Sequence, residues 1–180
     1  MSHKTLAAAL IAALGTIGTA ASAQSIDIML SGYQEVPQAL STPGTGRFKA
    51  KVDESAGTIE YELSYADLIG TATQAHIHFG RRGVAGGIMV WLCQSPTNVD
   101  PTGLSPQCPA AGGTVTGTLQ AASVVGPAAQ GIDPGEFAEV VAALRAGAGY
   151  VNVHSSKFPP GEIRGQVGAR SGREGRHHHH

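Results

Sequence analysis

Thr58-Ile59-Glu60-Tyr61-Glu62-Leu63-Ser64-Tyr65 decides the fold class of this chain. Ile59, Tyr61, Leu63 and Tyr65 alternate with Thr58, Glu60, Glu62 and Ser64. Successive strand side chains point to opposite faces, so the run reads as a strand with one face on a core and one in water. Residues 46–52 are strand-like too, and Asp53-Glu54-Ser55-Ala56-Gly57 between the two runs reads as a hairpin loop ending in glycine. Similar short runs recur at 25–30, 88–93 (carrying Trp91, the sole tryptophan), 113–119 and 161–167. Residues 31–43 contain Gly32, Pro37 and Pro43 and read as a loop crossing the sheet edge. One helix interrupts the pattern. Asp133 suits the N-cap, Pro134 the first helical position and Glu136 the capping box, and Phe137, Val140, Val141 and Leu144 follow at helical spacing. The expectation is an all-β fold, an antiparallel Greek-key-like β-sandwich with one short helix before the penultimate strand.

The ends stand apart from this pattern. Residues 1–23 have a basic start at Lys4, an apolar stretch from Leu6 to Ile17 and Ala21-Ser22-Ala23, the pattern of a secretory signal peptide. That stretch is too short and too rich in alanine and glycine for a membrane span. Residues 171–180 read as a tail and a histidine tag. Residues 24–170 remain as one domain, and export implies a periplasmic or secreted protein. The 12 basic and 13 acidic residues show no basic face, which argues against nucleic acid as a partner. Two cysteines in an exported chain, Cys93 and Cys108, most simply form a disulfide. The alternative, a two-thiolate metal site, lacks a nearby Cys-x-x-Cys pair or histidine.

Outside the two ends the chain has three histidines: His76 and His78 in Gln74-Ala75-His76-Ile77-His78-Phe79-Gly80, and His154 in Tyr150-Val151-Asn152-Val153-His154. Strand alternation puts His76 and His78 on one face, about 6.6 Å apart along the chain. It also groups Tyr150, Asn152 and His154. A histidine on a strand is usually structural, and His154 alone would be read so. All three lying on alternating strand faces points instead to a shared three-histidine metal site. No carboxylate lies within two residues of any of them, which disfavours oxygen-seeking ions. Imidazoles suit copper first, with zinc as the alternative. Arg164 is the candidate catalytic residue, a cation able to attract a small anion such as superoxide; its bland reading is a surface arginine paired with Glu162. Glu162, Asn152 and Tyr150 are candidates to orient an imidazole through its second nitrogen.

Five motifs in order resemble the CHRD domain, first described as a repeat in chordin: Gln34-Glu35-Val36-Pro37, Ala75-His76-Ile77-His78-Phe79-Gly80, Gly112-Gly113-Thr114-Val115-Thr116-Gly117, Tyr150-Val151-Asn152-Val153-His154-Ser155 and Gly161-Glu162-Ile163-Arg164-Gly165-Gln166. The resemblance implies a β-sandwich outside the cytoplasm. In chordin such repeats accompany binding of bone morphogenetic proteins, which leaves the role of a single domain open. A weaker chemical likeness is similar to copper-binding superoxide dismutases: a His-x-His strand, a distant third histidine, a disulfide and a late arginine. A bridging histidine, a zinc-ligand cluster and a long electrostatic loop are missing, so the likeness implies at most a copper-only site. The functional expectation is an exported copper protein that dismutates superoxide. The alternatives are a non-catalytic copper-binding or buffering protein and a ligand-binding or adhesion module with structural histidines. A zinc hydrolase is more distant, and no Gly-x-Ser-x-Gly or phosphate-binding loop supports other chemistry.

Overall fold

The computed structural model describes residues 23–168. The signal-peptide reading (apart from Ala23) and the tail and tag reading lie outside those residues. The alternating runs become eight strands: β1 (Gln24–Ser31), β2 (Thr45–Asp53), β3 (Thr58–Ala66), β4 (Ala72–Phe79), β5 (Gly87–Cys93), β6 (Gly113–Leu119), β7 (Gly149–Ser155) and β8 (Ile163–Gln166), with α1 (Phe137–Arg145) before β7. Every pairing between them is antiparallel, and their order is β5-β4-β7-β8-β1-β2-β3-β6. β8 and β1 share a single register pair, Ser31 with Arg164. The sheet folds at that weak seam, so β1-β2-β3-β6 faces β5-β4-β7-β8 in a nearly closed sandwich. The two ends of the sheet approach each other, and there the Tyr61 hydroxyl of β3 donates to the Leu92 carbonyl of β5 (2.6 Å). The Cys93–Cys108 disulfide fastens the same edge.

The core lies between the halves. Phe48, Ile59 and Leu63 come from one side, and Ile77, Leu92, Val151 and Ile163 from the other, all fully buried. The hairpin read from residues 53–57 forms, with Asp53 paired to Thr58 and Gly57 at φ 66°, where a side chain would strain the backbone. The helix begins later than its cap signal predicts. Gly135 adopts φ 89° and breaks the first turn, which moves the N-cap from Asp133 to Glu136. The Glu136 carboxylate still reaches back to the Asp133 N–H (2.7 Å), so half of the capping box survives. Val140, Val141 and Leu144 then enter the core. Leu144 packs so closely on Gly149 that a β-carbon there would sit 2.7 Å from its methyl group.

Residues 31–43 are placed differently from expectation. They do not only cross an edge; they lie over the polar face of β7 and β8. Gln34 Oε1 accepts the Gln166 N–H (3.2 Å), Glu35 accepts from the Asn152 amide, and Thr42 donates to Glu162 (2.6 Å). All seven residues of β7 are buried in consequence. Among the described residues no helix is long and apolar enough to cross a membrane.

The disulfide closes a 15-residue separation, worth about 3 kcal/mol in the chain-entropy view. Replacing both cysteines with alanine is expected to lower the melting temperature by roughly 6–12 °C, measured by calorimetry. An unchanged melting temperature would show that the edge is already held by the Tyr61 contact.

Candidate metal centre

β4 and β7 are neighbours, and their register brings the three histidines to one face of the sheet. His76 pairs across the ladder with Asn152, His78 with Tyr150, and Gln74 with His154. Ala75 and Ile77 face the core between them. One nitrogen from each of His76, His78 and His154 lies within 4.8 Å of the others. All three rings are buried, at 1, 8 and 8% exposure.

The hydrogen bonds determine which lone pairs are free. The His154 Nδ1–H donates to the Pro159 carbonyl (2.7 Å), and the His78 Nδ1–H to the Gly86 carbonyl (2.9 Å). Both residues therefore turn a bare Nε2 toward the cluster. His76 Nδ1 lies 3.2 Å from His154 Nε2. Without an ion this is a hydrogen bond; two ligands at about 2.0–2.1 Å from one tetrahedral ion would stand roughly 3.3 Å apart. The Nε2 atoms of His76 and His78 are buried with no hydrogen-bond partner, which is costly unless something else satisfies them. Burial, more than mutual repulsion, pushes the His76 imidazolium far below its usual range. Burial also holds His78 at about 4 and lowers His154. All three are neutral imidazoles at neutral pH, the form that ligates metal. The set fits a borderline cation that accepts nitrogen ligands.

The residues expected to orient the rings are placed otherwise. Backbone carbonyls of Gly86 and Pro159 take that role. Asn152 donates to Glu35 and to the Ile163 carbonyl (2.9 Å), and touches no imidazole nitrogen. Glu162 is held by Thr42, Ser155 and the Ile69 N–H (2.6 Å), away from the histidines. Tyr150 acts through packing: its ring lies flat on His78, with centroids 4.7 Å apart and planes at 6°. Its hydroxyl accepts the Gly86 N–H (2.9 Å), fixing the carbonyl that holds His78. Gly86 has no room for a side chain, since a β-carbon would fall 1.7 Å from the Phe79 oxygen.

Arg164 is neither a surface residue nor paired with Glu162. It is 2% exposed, and its Nη2 donates to the carbonyls of Arg81 (3.1 Å) and Val84 (3.0 Å) and to Gln166. Its guanidinium carbon lies 3.5 Å from the Tyr150 ring centre. β7 runs between β4 and β8, so the phenol ring separates Arg164 from His78. Two further contacts escaped the sequence reading. Trp91 meets His76 edge to face at 4.3 Å, and Glu35 is buried beside Asn152. Strand register could have suggested Trp91, since it pairs with His76.

The chain matches the CHRD domain over residues 26–167. It belongs to the CHRD domain family. All five motifs and the three histidines fall within that match. No curated protein and no solved structure shows significant similarity to it. CHRD domains are typical of exported proteins, and the internal disulfide fits an oxidising compartment.

Glu35 gives this CHRD domain a pH-dependent stability. Burial pushes its carboxyl up to about 7, against the opposing pull of the Asn152 bond and of Arg164. The unfolded chain loses this proton near 4.5, so between 4.5 and 7 the folded state binds more protons. Its own contribution to stability therefore falls by about 3 kcal/mol as pH rises through that window, against the three buried histidines, whose lowered pKa values add stability as pH rises toward 6.5. Relative to wild type, Glu35→Gln is expected to gain melting temperature steadily between pH 5 and 8, with the largest gain at pH 8. A variant with the wild-type slope would place the titrating group elsewhere.

Proposed function

We propose that this CHRD domain is an exported copper protein: His76, His78 and His154 hold one copper ion, and the centre dismutates superoxide. The observation that carries the reading is the convergence of three neutral imidazoles within 4.8 Å, with the His78 Nε2 buried and otherwise unpartnered. No carboxylate belongs to the set, which argues for copper or zinc over harder ions. Copper binds such ligands more tightly than zinc. Three protein ligands leave a coordination position open, as a catalytic site needs. Bound copper supplies a one-electron couple, so that one superoxide is oxidised to dioxygen and a second, taking up two protons, is reduced to hydrogen peroxide.

The chain's own residues do the remaining work. The Gly86 and Pro159 carbonyls fix the tautomers of His78 and His154, and Tyr150 and Trp91 close the site against bulk water. Arg164 contributes positive potential from behind Tyr150 rather than a hand-hold at the ion, a field that draws small anions inward. A second reading, copper binding without turnover, has one observation in its favour: all three rings are at most 8% exposed.

Elemental analysis of tag-free protein is expected to return one copper per chain, and less than a tenth of that for His76→Ala and His154→Ala. Stoichiometric copper in both variants would remove the site. Trp91, at 4.3 Å from His76, should lose its fluorescence on addition of one equivalent of copper(II). Zinc, with its filled shell, should leave the emission largely intact. Superoxide decay on the copper-loaded protein then separates the readings: a salt-sensitive rate well above that of free copper marks an enzyme, and a rate no higher marks a binding protein. Tyr150→Phe, which keeps the ring but frees Gly86, is expected to weaken copper binding by roughly 10-fold or more, measured by competition with a chelator.

A further inference from the structure

A cavity opens beside Arg164. It holds about 240 Å3 and is bordered by Tyr33, Gln34, Glu35, Arg82, Arg164 and Gln166. That is below the roughly 300–1,000 Å3 of sites for drug-sized ligands, so an occupant would be small. We propose that this cavity is a binding site for a small carboxylate anion, held by Arg164 and Glu35. The inference does not rest on the copper reading.

The two glutamines are already committed. The Gln34 amide donates to the Met29 carbonyl (3.1 Å), and its oxygen accepts the Gln166 N–H. The Gln166 amide donates to the carbonyls of Gly80, Gly147 and Gly149, and its oxygen accepts from Arg164. Arg164 is the exception. Its Nη2 is fully used, whereas its Nη1 is buried and has no hydrogen-bond partner. A buried guanidinium nitrogen without an acceptor is expensive unless a ligand supplies one. Glu35 is partly committed: its carboxyl accepts from the Asn152 amide and interacts with the Val36 N–H. No carboxylate lies within 4.0 Å of Arg164 among the described residues, so its charge is not cancelled by a close ion pair.

An ionised Glu35 would repel an anion. A protonated Glu35 instead offers an O–H on the same cavity wall as Arg164, whose Nη1 is free, so the cavity holds two donors for the two oxygens of a carboxylate. Burial holds this group half protonated near pH 7. The charged and titratable groups around it are Arg164 from β8, Arg82 from the loop after β4, Tyr150 from β7 and Tyr33 from its own turn. Burial lowers the Arg164 guanidinium from its usual value and pushes the Tyr150 hydroxyl upward. Tyr33, 74% exposed, stands at the mouth, where its ring can cover a short apolar tail.

The test is an acetate titration of the protein followed by 1H–15N NMR, with sodium chloride at matched ionic strength as the control. Acetate is ionised at both pH 6 and pH 8. Saturable shifts are expected in the amides of Glu35 and Gly83 and in the Arg164 Nε–Hε signal, with binding roughly tenfold weaker at pH 8 than at pH 6. Glu35→Gln keeps a donor at every pH, so it should bind acetate equally at both. No saturable shift at pH 6, the same shifts with chloride, or an undiminished pH dependence in Glu35→Gln would each overturn the proposal. Copper content and superoxide decay are expected to be unaffected by Glu35→Gln, which separates this site from the histidine centre.

Discussion

β7 has water on neither side, and the rest of the molecule answers to that. A strand at the middle of a half-sandwich ordinarily turns one face to solvent and can leave its polar groups to water. In β7 Val151 and Val153 meet the core, while Tyr150, Asn152 and His154 are covered by the loops that follow β1, β4 and β7 itself. Each polar group placed there needs a protein partner. Tyr150 finds Gly86, Asn152 finds Glu35 and Ile163, and His154 finds Pro159. The three loops are therefore held by the strand they cover. The imidazoles inherit their orientation from a backbone that has few other ways to pack.

This constraint also explains why glycine is dense around the site. Gly86 lies against the Phe79 carbonyl, and Gly161, at φ 134°, leaves no room between itself and the Asn152 and Glu35 side chains. At both positions a covering loop approaches within backbone contact of what it covers, and a β-carbon would lift it away. The ring of His78 depends directly on the first approach. The Asn152–Glu35 bond depends on the second.

The parts of the fold legible in the sequence are those controlled by local alternation. Ile59 to Tyr65 announces a half-buried strand because each side chain needs only its own face. The histidine pair in β4 is legible for the same reason, and His154 because one alternating segment can lie beside another in a sheet. Glu35 is not legible: its partner Asn152 is 117 positions away and nothing local marks the carboxylate as buried. The carbonyls of Gly86 and Pro159 are invisible in principle, since a backbone acceptor has no residue-type signature. Pairing Glu162 with Arg164 follows the rule that strand residues two apart share a face. The rule fails because each has stronger company, Glu162 with two hydroxyls and two backbone N–H groups, Arg164 with carbonyls and a phenol ring. The helix start fails for a comparable reason: the cap residues at 133–136 are correct in type, but Gly135 takes a backbone conformation that sequence spacing does not reveal.

The electrostatic character of the centre follows from what surrounds it. Three neutral imidazoles bring no negative charge, and the Arg164 cation stands behind Tyr150. A cation bound among these nitrogens would keep its full charge in a poorly solvated place. Such a setting would favour the lower of two oxidation states of a bound ion and attract anions, as the proposed copper reading requires. It also gives the tyrosine a second function. By standing on β7 between Arg164 of β8 and His78 of β4 it lets the sheet hold a fixed positive group and a candidate metal ligand within two strands of each other without bringing two cations into contact, and each ring face is used for one of them.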